Sequence, residues 1–442
     1  MITKFEKSNA LRPRAHDLIP GGCHTYAKGD DQYPELAPGF ISRGLGSHVW
    51  DVDGNEYIEY NQGNRAVGLG HAHPDVIGAA ARELVNGANF SRPSPIEFAC
   101  AEALLSLIDG MDMVKFCKDG SDATTAALKL ARAHTGRDMV ACCADHPFFA
   151  TNDWFIGTTV LNAGIPETIR NLTVTFPYDD LDAIERMFAE HPQRIAAVIM
   201  EPAKYSDPSP GYLQGVKDLC HRHGALFILD EMITGFRWHL RGAQHLYGVV
   251  PDLTAFGKAL GNGFSISALL GKRELMERGG LRHDKERVFL LSTTHGAETH
   301  ALAAAIATIK VYQREPVIET LYARGQRLID EGLQVIARHG LGRHIEIVGK
   351  PCCLVYTTRD EQGHPSQSFR SLLLQETIKR GVLMTSLVVS YTHSDEDIGR
   401  TVDALDQALA VYARALSDGV SKYLVGRPSQ IVFRRFNNGS GS

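Results

Sequence analysis

Lys258 stands in a stretch that could make its amine a nucleophile, because the neighbouring residues from 255 to 263 are mostly apolar or glycine. Apolar surroundings disfavour the charged ammonium group and lower its pKa, and a neutral amine can form a Schiff base with a carbonyl group. Lysines are usually solvated surface groups, so this stretch alone does not define a site. The segment 261–263 lacks the strand-turn-helix context of a dinucleotide-binding fingerprint.

An acidic pair follows another apolar stretch. Phe227, Ile228 and Leu229 lead directly into Asp230 and Glu231. A buried carboxylate without a partner is costly, so Asp230 must be either paired or functional. Considered alone, a helix cap or an ordinary ion pair is the more frequent explanation.

A glycine-serine turn is the third candidate. Gly120 and Ser121 join a short apolar strand, which includes Phe116, to an alanine-rich helix. The first N–H groups of a helix, together with a hydroxyl group, can bind an anion such as phosphate. Considered alone, a plain N-cap by Asp119 or Ser121 is the more frequent use of this pattern.

The three segments together indicate one cofactor, pyridoxal 5'-phosphate (PLP). This cofactor needs a lysine that holds its aldehyde carbon, a carboxylate that keeps its pyridine nitrogen protonated, and a turn that binds its phosphate. Lys258, Asp230 and the Gly120–Ser121 turn match these needs. We therefore predict a Schiff base at Lys258, which would also move the proton in catalysis.

Alternating helices and apolar strands are suited to bring these segments together. The predicted helices are Glu97–Met111, Ser121–Gly136 and Tyr212–Gly224, and the predicted strands are Met113–Cys117, Arg194–Met200 and Ala225–Leu229. Strands that are apolar on both faces and alternate with helices indicate an α/β fold with a mainly parallel sheet covered on both sides. Ligands of such folds bind at the carboxyl ends of the strands.

The pattern divides the chain into four parts. Residues 1–75 contain a predicted hairpin (His48–Tyr60) and are expected to pack with a small α/β domain, residues 316–436. That domain has predicted helices at Pro316–Gly340, Ser366–Arg380 and Asp395–Leu416, with short strands between Ile345 and Tyr356. Residues 76–315 form the predicted PLP-binding domain, and residues 437–442 a flexible tail or a tag remnant.

Charge and hydropathy limit the partners. The 442 residues carry 46 basic and 51 acidic side chains, for a formal net charge of −5. This balance gives no electrostatic reason to expect nucleic acid or an anionic membrane. No apolar stretch approaches the ~20 residues of a membrane span, and the first residues lack an apolar signal core. We therefore predict small-molecule substrates and a cytoplasmic location.

The cysteines and histidines do not predict a metal site. The eight cysteines form no C-x-x-C pair, and we interpret them as reduced, mostly buried thiols of a reducing cytoplasm. His295, Glu298 and His300 lack the H-E-x-x-H spacing of a zinc protease. His71 and His73 are interpreted as structural residues.

The sequence resembles the class III, fold-type I aminotransferases over nearly its whole length, and within them it is most similar to glutamate-1-semialdehyde 2,1-aminomutase. The matching motifs are Asp51–Asn55, Gly70–Pro74, Asp230–Arg237 and Phe256–Lys258. The resemblance implies that Lys258 is the Schiff-base lysine and that Asp230 is the partner of the pyridine nitrogen. It also implies that Gly120 and Ser121 form the phosphate-binding turn.

Further roles follow from the resemblance. It places Met232 under the cofactor ring, where the family has a valine, and Glu201 at a strand end near the cofactor. Phe148 takes the place of a ring-stacking tyrosine. Thr294 matches a threonine that reaches the phosphate across a dimer interface, so a homodimer is implied.

Departures from the aminomutase concentrate on the substrate side. Lys28 stands where the aminomutase has an arginine, and lysine cannot form the same bidentate fork. Gly63, Asn64 and Arg65 replace a Ser-Trp-Gly segment, and the segment 385–390 lacks the gating glutamate of the aminomutase. The Gly-Asn-Pro that follows the threonine has become Ala-Glu-Thr, residues 297–299.

These departures favour an aminotransferase that moves an amino group from a donor to an aldehyde or ketone acceptor, such as a sugar or a small keto acid. Lys28, Asn64 and Arg65 are candidate substrate residues, the two cations as anchors for an anionic group. They are equally compatible with ordinary surface positions. Intramolecular amino transfer by an aminomutase remains the alternative reaction. The non-catalytic alternative is a binding protein, which would be colourless.

Overall fold

The computed structural model describes residues 1–437, so the last five residues of the predicted tail lie outside the described part of the chain. The strands are Ile41–Leu45 (β1), His48–Asp51 (β2), Glu56–Glu59 (β3), Met113–Cys117 (β4), Met139–Cys143 (β5), Thr173–Phe176 (β6), Ile195–Met200 (β7), Leu226–Asp230 (β8), Leu253–Phe256 (β9), Ser267–Gly271 (β10), Ile345–Val348 (β11), Val355–Thr358 (β12) and Val382–Leu383 (β13).

The longer helices are Glu6–Leu18 (α1), Pro74–Leu84 (α2), Pro95–Leu105 (α3), Gly120–Thr135 (α4), Leu181–Glu190 (α5), Tyr212–Arg222 (α6), Thr299–Arg314 (α7), Val317–Arg338 (α8), Gln367–Ile378 (α9) and Asp395–Asp418 (α10). One-turn helices are Gln62–Arg65, Asp153–Ile156, Glu167–Arg170, Ala243–Leu246 and Arg273–Met276.

The chain divides into two compact units. One comprises residues 1–73 and 319–434, and the other residues 74–318 together with residues 435–437. The second unit contains a seven-stranded sheet in the order β4-β10-β9-β8-β7-β5-β6. Strand β10 is antiparallel to β4 and β9, whereas the other neighbours pair in parallel. The predicted α/β class with a mainly parallel sheet is confirmed.

The core of this sheet explains why the strands were recognisable in the sequence. Strands β7 and β8 are buried at every residue, as expected for strands that are covered on both faces. Helix α3 begins with a capping box between Ser94 and Glu97, and α4 ends at Gly136, whose φ of 69° lies in the left-handed region. The sequence placed the end of α3 at Met111, but the helix ends at Leu105 and the chain turns through Gly110 at φ 69°.

The first unit combines both chain ends in small sheets. Strands β1, β2 and β3 form an antiparallel meander, and β13 adds to β3 in parallel. The predicted turn of the β2–β3 hairpin is held by the Asp51 carboxylate, which accepts from the backbone N–H and the side-chain amide of Asn55 at 2.8 Å and from Tyr57 at 2.9 Å. Strands β11 and β12 form a separate antiparallel pair.

Among the described residues, no helix is both long and apolar enough to cross a membrane. All eight cysteines are free thiols, and seven of them are buried.

Candidate active site

Asp230 and Lys258 lie at the same edge of the large sheet. Asp230 is the last residue of β8, and Lys258 follows the end of β9 by two residues. The two strands are parallel, with Asp230 opposite Ala255. Since carboxyl ends of parallel strands share one edge, the topology brings the predicted carboxylate and amine to the same place.

The environment of Asp230 makes its ionised form less favourable than that of an exposed aspartate. Only 3% of the residue is exposed, and its Oδ1 accepts from the backbone N–H of Met232 at 2.9 Å. Burial raises the pKa of Asp230 to about 6, against the opposing effects of Lys258 and of the Met232 N–H. A cationic group held against Asp230 would therefore gain a buried counterion.

Lys258 occupies an unusual backbone conformation. Its φ is 47°, in the left-handed region, and it begins a one-turn 3₁₀ helix that ends at Gly261. A non-glycine residue in this region stores strain, which is found most often at functional positions. The residue before it, Gly257, has no room for a side chain, because a Cβ there would lie 2.6 Å from Met232 Sδ.

Met232 connects the three predicted segments. Its Sδ lies 3.0 Å from the position of a Cβ on Gly120 and 2.6 Å from that on Gly257, and it accepts a long hydrogen bond from Ser267 Oγ at 3.9 Å. Ser267 is the first residue of the antiparallel strand β10 and pairs with Cys117, so it lies at the same edge. The glycines at 120 and 257 are thus explained by close packing around one thioether.

The Gly120–Ser121 turn forms the start of α4, a helix of 16 residues. Asp119 is its N-cap and accepts from the N–H of Asp122 at 3.0 Å. Ser121 Oγ accepts from the backbone N–H of Thr151 at 3.0 Å, so the hydroxyl proton is directed elsewhere and can donate to an anion. Both sequence interpretations therefore apply: Asp119 caps the helix, and the turn retains the features of an anion site.

The two neighbouring phenylalanines of the β5–β6 connection differ in exposure. Phe149 is 2% exposed and belongs to the core, whereas Phe148 is 43% exposed and makes an edge-to-face contact with Phe155, with ring centroids 5.8 Å apart. Phe148 is therefore the more accessible of the two rings.

His146 makes a hydrogen bond that the sequence did not reveal. Its Nδ1 accepts from the backbone N–H of Glu201 at 3.0 Å, which links the loops that follow β5 and β7. Burial lowers the pKa of His146 to about 3. The ring is therefore neutral with its proton on Nε2, and it fixes the backbone of Glu201, whose side chain is also buried.

Thr294 lies in an exposed segment before α7. Its backbone carbonyl accepts from the side-chain amide of Asn89 at 3.0 Å. Thr299, at the start of α7, donates from its backbone to Ala88 at 3.0 Å and from its hydroxyl to Gly87 at 2.8 Å. The threonine is thus displayed on a loop held from one side by residues 87–89.

The three candidate substrate residues belong to the other compact unit. Lys28 is exposed at the end of a 3₁₀ turn, Tyr26–Lys28. Asn64 and Arg65 are partly buried. The structure therefore places Asp230, Lys258, Gly120 and Met232 together. Lys28 lies on one turn of the unit formed by the chain ends, and Asn64 and Arg65 lie on another.

Asn64 and Arg65 lie in a left-handed turn, which the sequence did not predict. All four residues from Gln62 to Arg65 have φ between 46° and 69°. Consecutive left-handed residues are rare, since each non-glycine residue costs roughly 1–2 kcal/mol. Glu59 stabilises the turn by accepting from the Gln62 N–H at 2.8 Å, and His71 Nε2 lies 3.1 Å from the same carboxylate oxygen. His71 therefore has the structural role expected of it.

The residues at the sheet edge fit PLP on the chemistry of their groups. They comprise a strained lysine, a buried carboxylate that needs a cation, an anion-binding helix start and a methionine packed beneath. A fold with these groups at the carboxyl edge of its sheet is that of a PLP enzyme of fold-type I.

The chain belongs to the class III aminotransferase family, whose model matches residues 28–409. It is 33% identical to the glutamate-1-semialdehyde 2,1-aminomutase of Desulforamulus reducens over 94% of this chain and 100% of that protein. It is 31% identical to the 3-aminobutyryl-CoA aminotransferase of Cloacimonas acidaminovorans, over 93% and 99%. The PLP-containing structure of the FumI protein of Sphingopyxis sp. MTA144 is 28% identical, with a TM-score of 0.85 over 93% and 97% of the two chains.

These similarities confirm the predicted family, the fold-type I architecture and the cofactor. The protein is a PLP-dependent enzyme of the class III aminotransferases.

Proposed function

We propose that the protein is a transaminase that moves an amino group from a small amino donor to an aldehyde or ketone acceptor, such as a sugar or a small keto acid. The observation that carries this proposal is the contrast between a complete set of cofactor groups around Asp230 and Lys258 and an altered set of substrate residues. When bound, PLP supplies an electron sink for the carbon from which a proton is removed.

Lys258 holds the cofactor through its amine and then serves as the base that takes a proton from the substrate carbon and returns it. Asp230 holds a proton on the pyridine nitrogen. The buried position and raised pKa of Asp230 support this role, because a buried carboxylate without a cationic partner is unfavourable and a protonated pyridine nitrogen would supply that partner.

The remaining residues at the sheet edge hold and orient the cofactor. The N–H groups at Gly120 and the hydroxyl of Ser121 would bind the phosphate, and Met232 and Phe148 would pack against the ring. Glu201, fixed through its backbone by His146, limits the position of the ring edge.

Arg65, Asn64 and Lys28 select the acceptor. A guanidinium group and a carboxamide suit an anionic or hydroxyl-rich acceptor, such as a carboxylate or a phosphorylated sugar. The strained turn that carries Asn64 and Arg65 supports this role, because strain is retained where a side chain must be held in one direction.

A homodimer in the reducing cytoplasm is part of the proposal, with Thr294 of each subunit completing the phosphate site of the other. Large apolar side chains exposed in the region of α2 and α3 support such an interface, among them Val85 at 84% and Phe98 at 62%. The free thiols support a reducing location.

The second candidate is intramolecular amino transfer. It is favoured by the 33% identity to a glutamate-1-semialdehyde 2,1-aminomutase. It differs from transamination in needing no second substrate, whereas a transaminase stops after one half-reaction until an acceptor is added.

The visible absorbance band of the loaded enzyme tests the proposal. Addition of a suitable amino donor should bleach the band stoichiometrically, and a carbonyl acceptor should restore it. A panel of amino acids and amines that leaves the band unchanged would contradict transamination. Conversion of glutamate-1-semialdehyde to 5-aminolevulinate without any second substrate would establish the aminomutase instead.

A further inference from the structure

A three-residue ionic bridge lies beside the proposed phosphate turn. Lys118, two residues before Gly120, places its Nζ 2.5 Å from Glu298 Oε2. The other oxygen of the same carboxylate, Oε1, lies 3.0 Å from His295 Nδ1. Glu298 thus joins Lys118, two residues before the phosphate turn, to His295, the residue after Thr294.

The bridge spans a segment that is otherwise held from the opposite side. Asn89 and residues 87–88 bind Thr294 and Thr299. On the side of β4, a Cβ on Gly296 would lie 3.6 Å from the Phe116 carbonyl oxygen, an ordinary contact. Glu298 adds a directional, charge-assisted link on this side, at the N-cap position of α7.

The surroundings of Lys118 and Glu298 favour a stable ion pair between them. The side chains of Lys118 and Glu298 are 26% and 19% exposed, so water screens the pair only in part. The hydrogen bond from Lys118 lowers the pKa of Glu298, which keeps the carboxylate ionised at neutral pH. Lys118 is fixed in turn by its backbone, whose carbonyl accepts from Ser265 Oγ at 2.8 Å.

We propose that Glu298 is a positioning residue that holds the Thr294 segment in register with the Gly120–Ser121 turn and thereby sets the affinity for the cofactor phosphate. The inference rests on the proposed phosphate site. In the proposed dimer, the bridge joins the phosphate turn of one cofactor site to the threonine segment that serves the other. Glu298 acts through geometry, because its charge is neutralised by Lys118.

Titration of the full-length protein, depleted of cofactor, with PLP and with pyridoxal isolates the contribution of the phosphate. Glu298→Gln should weaken PLP binding about fivefold to tenfold, the expected cost of losing a partly exposed charge-assisted hydrogen bond. Binding of pyridoxal, which lacks the phosphate, should change less than about twofold because the variant keeps its lysine and carboxylate. Glu331→Gln, which removes a carboxylate from the Arg327 pair in the other unit, is the matched control.

A double-mutant cycle separates geometry from charge. Lys118→Met should weaken PLP binding as much as Glu298→Gln, and the double variant no more than either, because all three break one bridge. If Glu298→Gln bound PLP more tightly and Lys118→Met bound it more weakly, the proposal would be overturned. That result would indicate that Lys118 attracts the phosphate directly. Equal losses for PLP and pyridoxal would also overturn it, since they would indicate a general structural effect.

Ser121→Ala distinguishes failure of this inference from failure of the proposed phosphate site. If Ser121→Ala weakens PLP but not pyridoxal while Glu298→Gln changes neither, the site stands and the bridge has no positioning role. If Ser121→Ala has no selective effect on PLP, the phosphate site itself is wrong.

Discussion

The residues proposed to hold the cofactor and those proposed to select the acceptor are built in contrasting ways. Asp230 ends strand β8 and Lys258 follows strand β9, and both strands are buried at every residue, so the positions of the two residues depend on the core of the fold. Asn64 and Arg65 stand in a left-handed turn, and Lys28 on an exposed one. A strand end cannot move without unfolding the sheet, whereas a turn can be rebuilt locally. The contrast explains how a family can retain one cofactor chemistry while its substrates differ.

Loss of the lysine should have the largest effect. Lys258→Ala removes both the covalent attachment and the proton-transfer group, so the transamination rate should fall at least about 10⁴-fold. Lys310→Ala, at an exposed position on α7, is the control and should keep the normal rate. Steady-state assays with donor and acceptor measure both. A rate within tenfold of normal in Lys258→Ala would remove the proposed role.

Asp230→Asn should have the next largest effect. An amide cannot hold the pyridine nitrogen in its protonated form, so kcat should fall about 10²–10³-fold. The donor KM should change much less. A selective rise in KM with unchanged kcat would instead assign Asp230 to substrate binding.

The same substitution should stabilise the cofactor-free protein in a pH-dependent way. The pKa of Asp230 is raised to about 6, so the fold binds this proton more tightly than the unfolded chain does. Stability therefore falls as pH rises from about 4 through 6, and the full cost is present above that window. Asp230→Asn should gain up to about 3 kcal/mol at pH 8 and little at pH 4. Urea unfolding at the two pH values measures this, and equal gains at both would contradict the raised pKa.

Changes on the substrate side should be smaller and confined to one half-reaction. Arg65→Ala should raise KM for the acceptor about 10–100-fold, as expected for the loss of a guanidinium–anion contact, while the donor half-reaction stays unchanged. Lys28→Met should raise KM for the acceptor less than about fivefold, because Lys28 is exposed. Stopped-flow measurement of the two half-reactions separates them. Equal slowing of both halves by Arg65→Ala would place Arg65 with the cofactor residues.

The left-handed turn should respond to glycine with a small gain in stability. Asn64 has φ 59°, so Asn64→Gly should relieve strain, but it also removes the hydrogen bond that Asn64 Oδ1 accepts from Asn61 Nδ2 at 2.7 Å. The net gain in stability should therefore be no more than about 0.5 kcal/mol. Gly63→Ala is the matched control with the opposite expected result. Gly63 has φ 60°, and a Cβ there would lie 3.3 Å from Val67 Cγ2, so the substitution should destabilise the protein. Thermal unfolding measures both. Destabilisation by Asn64→Gly would show that the side chain stabilises the turn.

The cofactor residues could be predicted from the sequence because they follow strong local patterns. Strand β4 has the predicted bounds. Strand β8 is buried at all five residues, and strands of this kind appear in the sequence as short apolar stretches. The acid is the last residue of β8, and the lysine follows the end of β9 by two residues. Their meeting at one edge then follows from parallel topology alone.

Other features depend on contacts that no local pattern encodes. Strand β10 is antiparallel, which brings Ser267 to the edge occupied by the ends of the other strands. The bridge between Lys118 and Glu298 joins residues 180 positions apart. The turn at Gln62–Arg65 is stabilised by Glu59 and has only one glycine to indicate its left-handed backbone.

Borohydride reduction of the loaded enzyme, followed by peptide mass spectrometry, tests the central claim most directly. Reduction makes the bond between the lysine and the cofactor permanent, so the attachment point can be read from the peptide that carries the added mass. The account predicts a single phosphopyridoxyl group on the peptide that contains Lys258. A phosphopyridoxyl group on another lysine, or a loaded yellow protein without any covalent adduct, would contradict it.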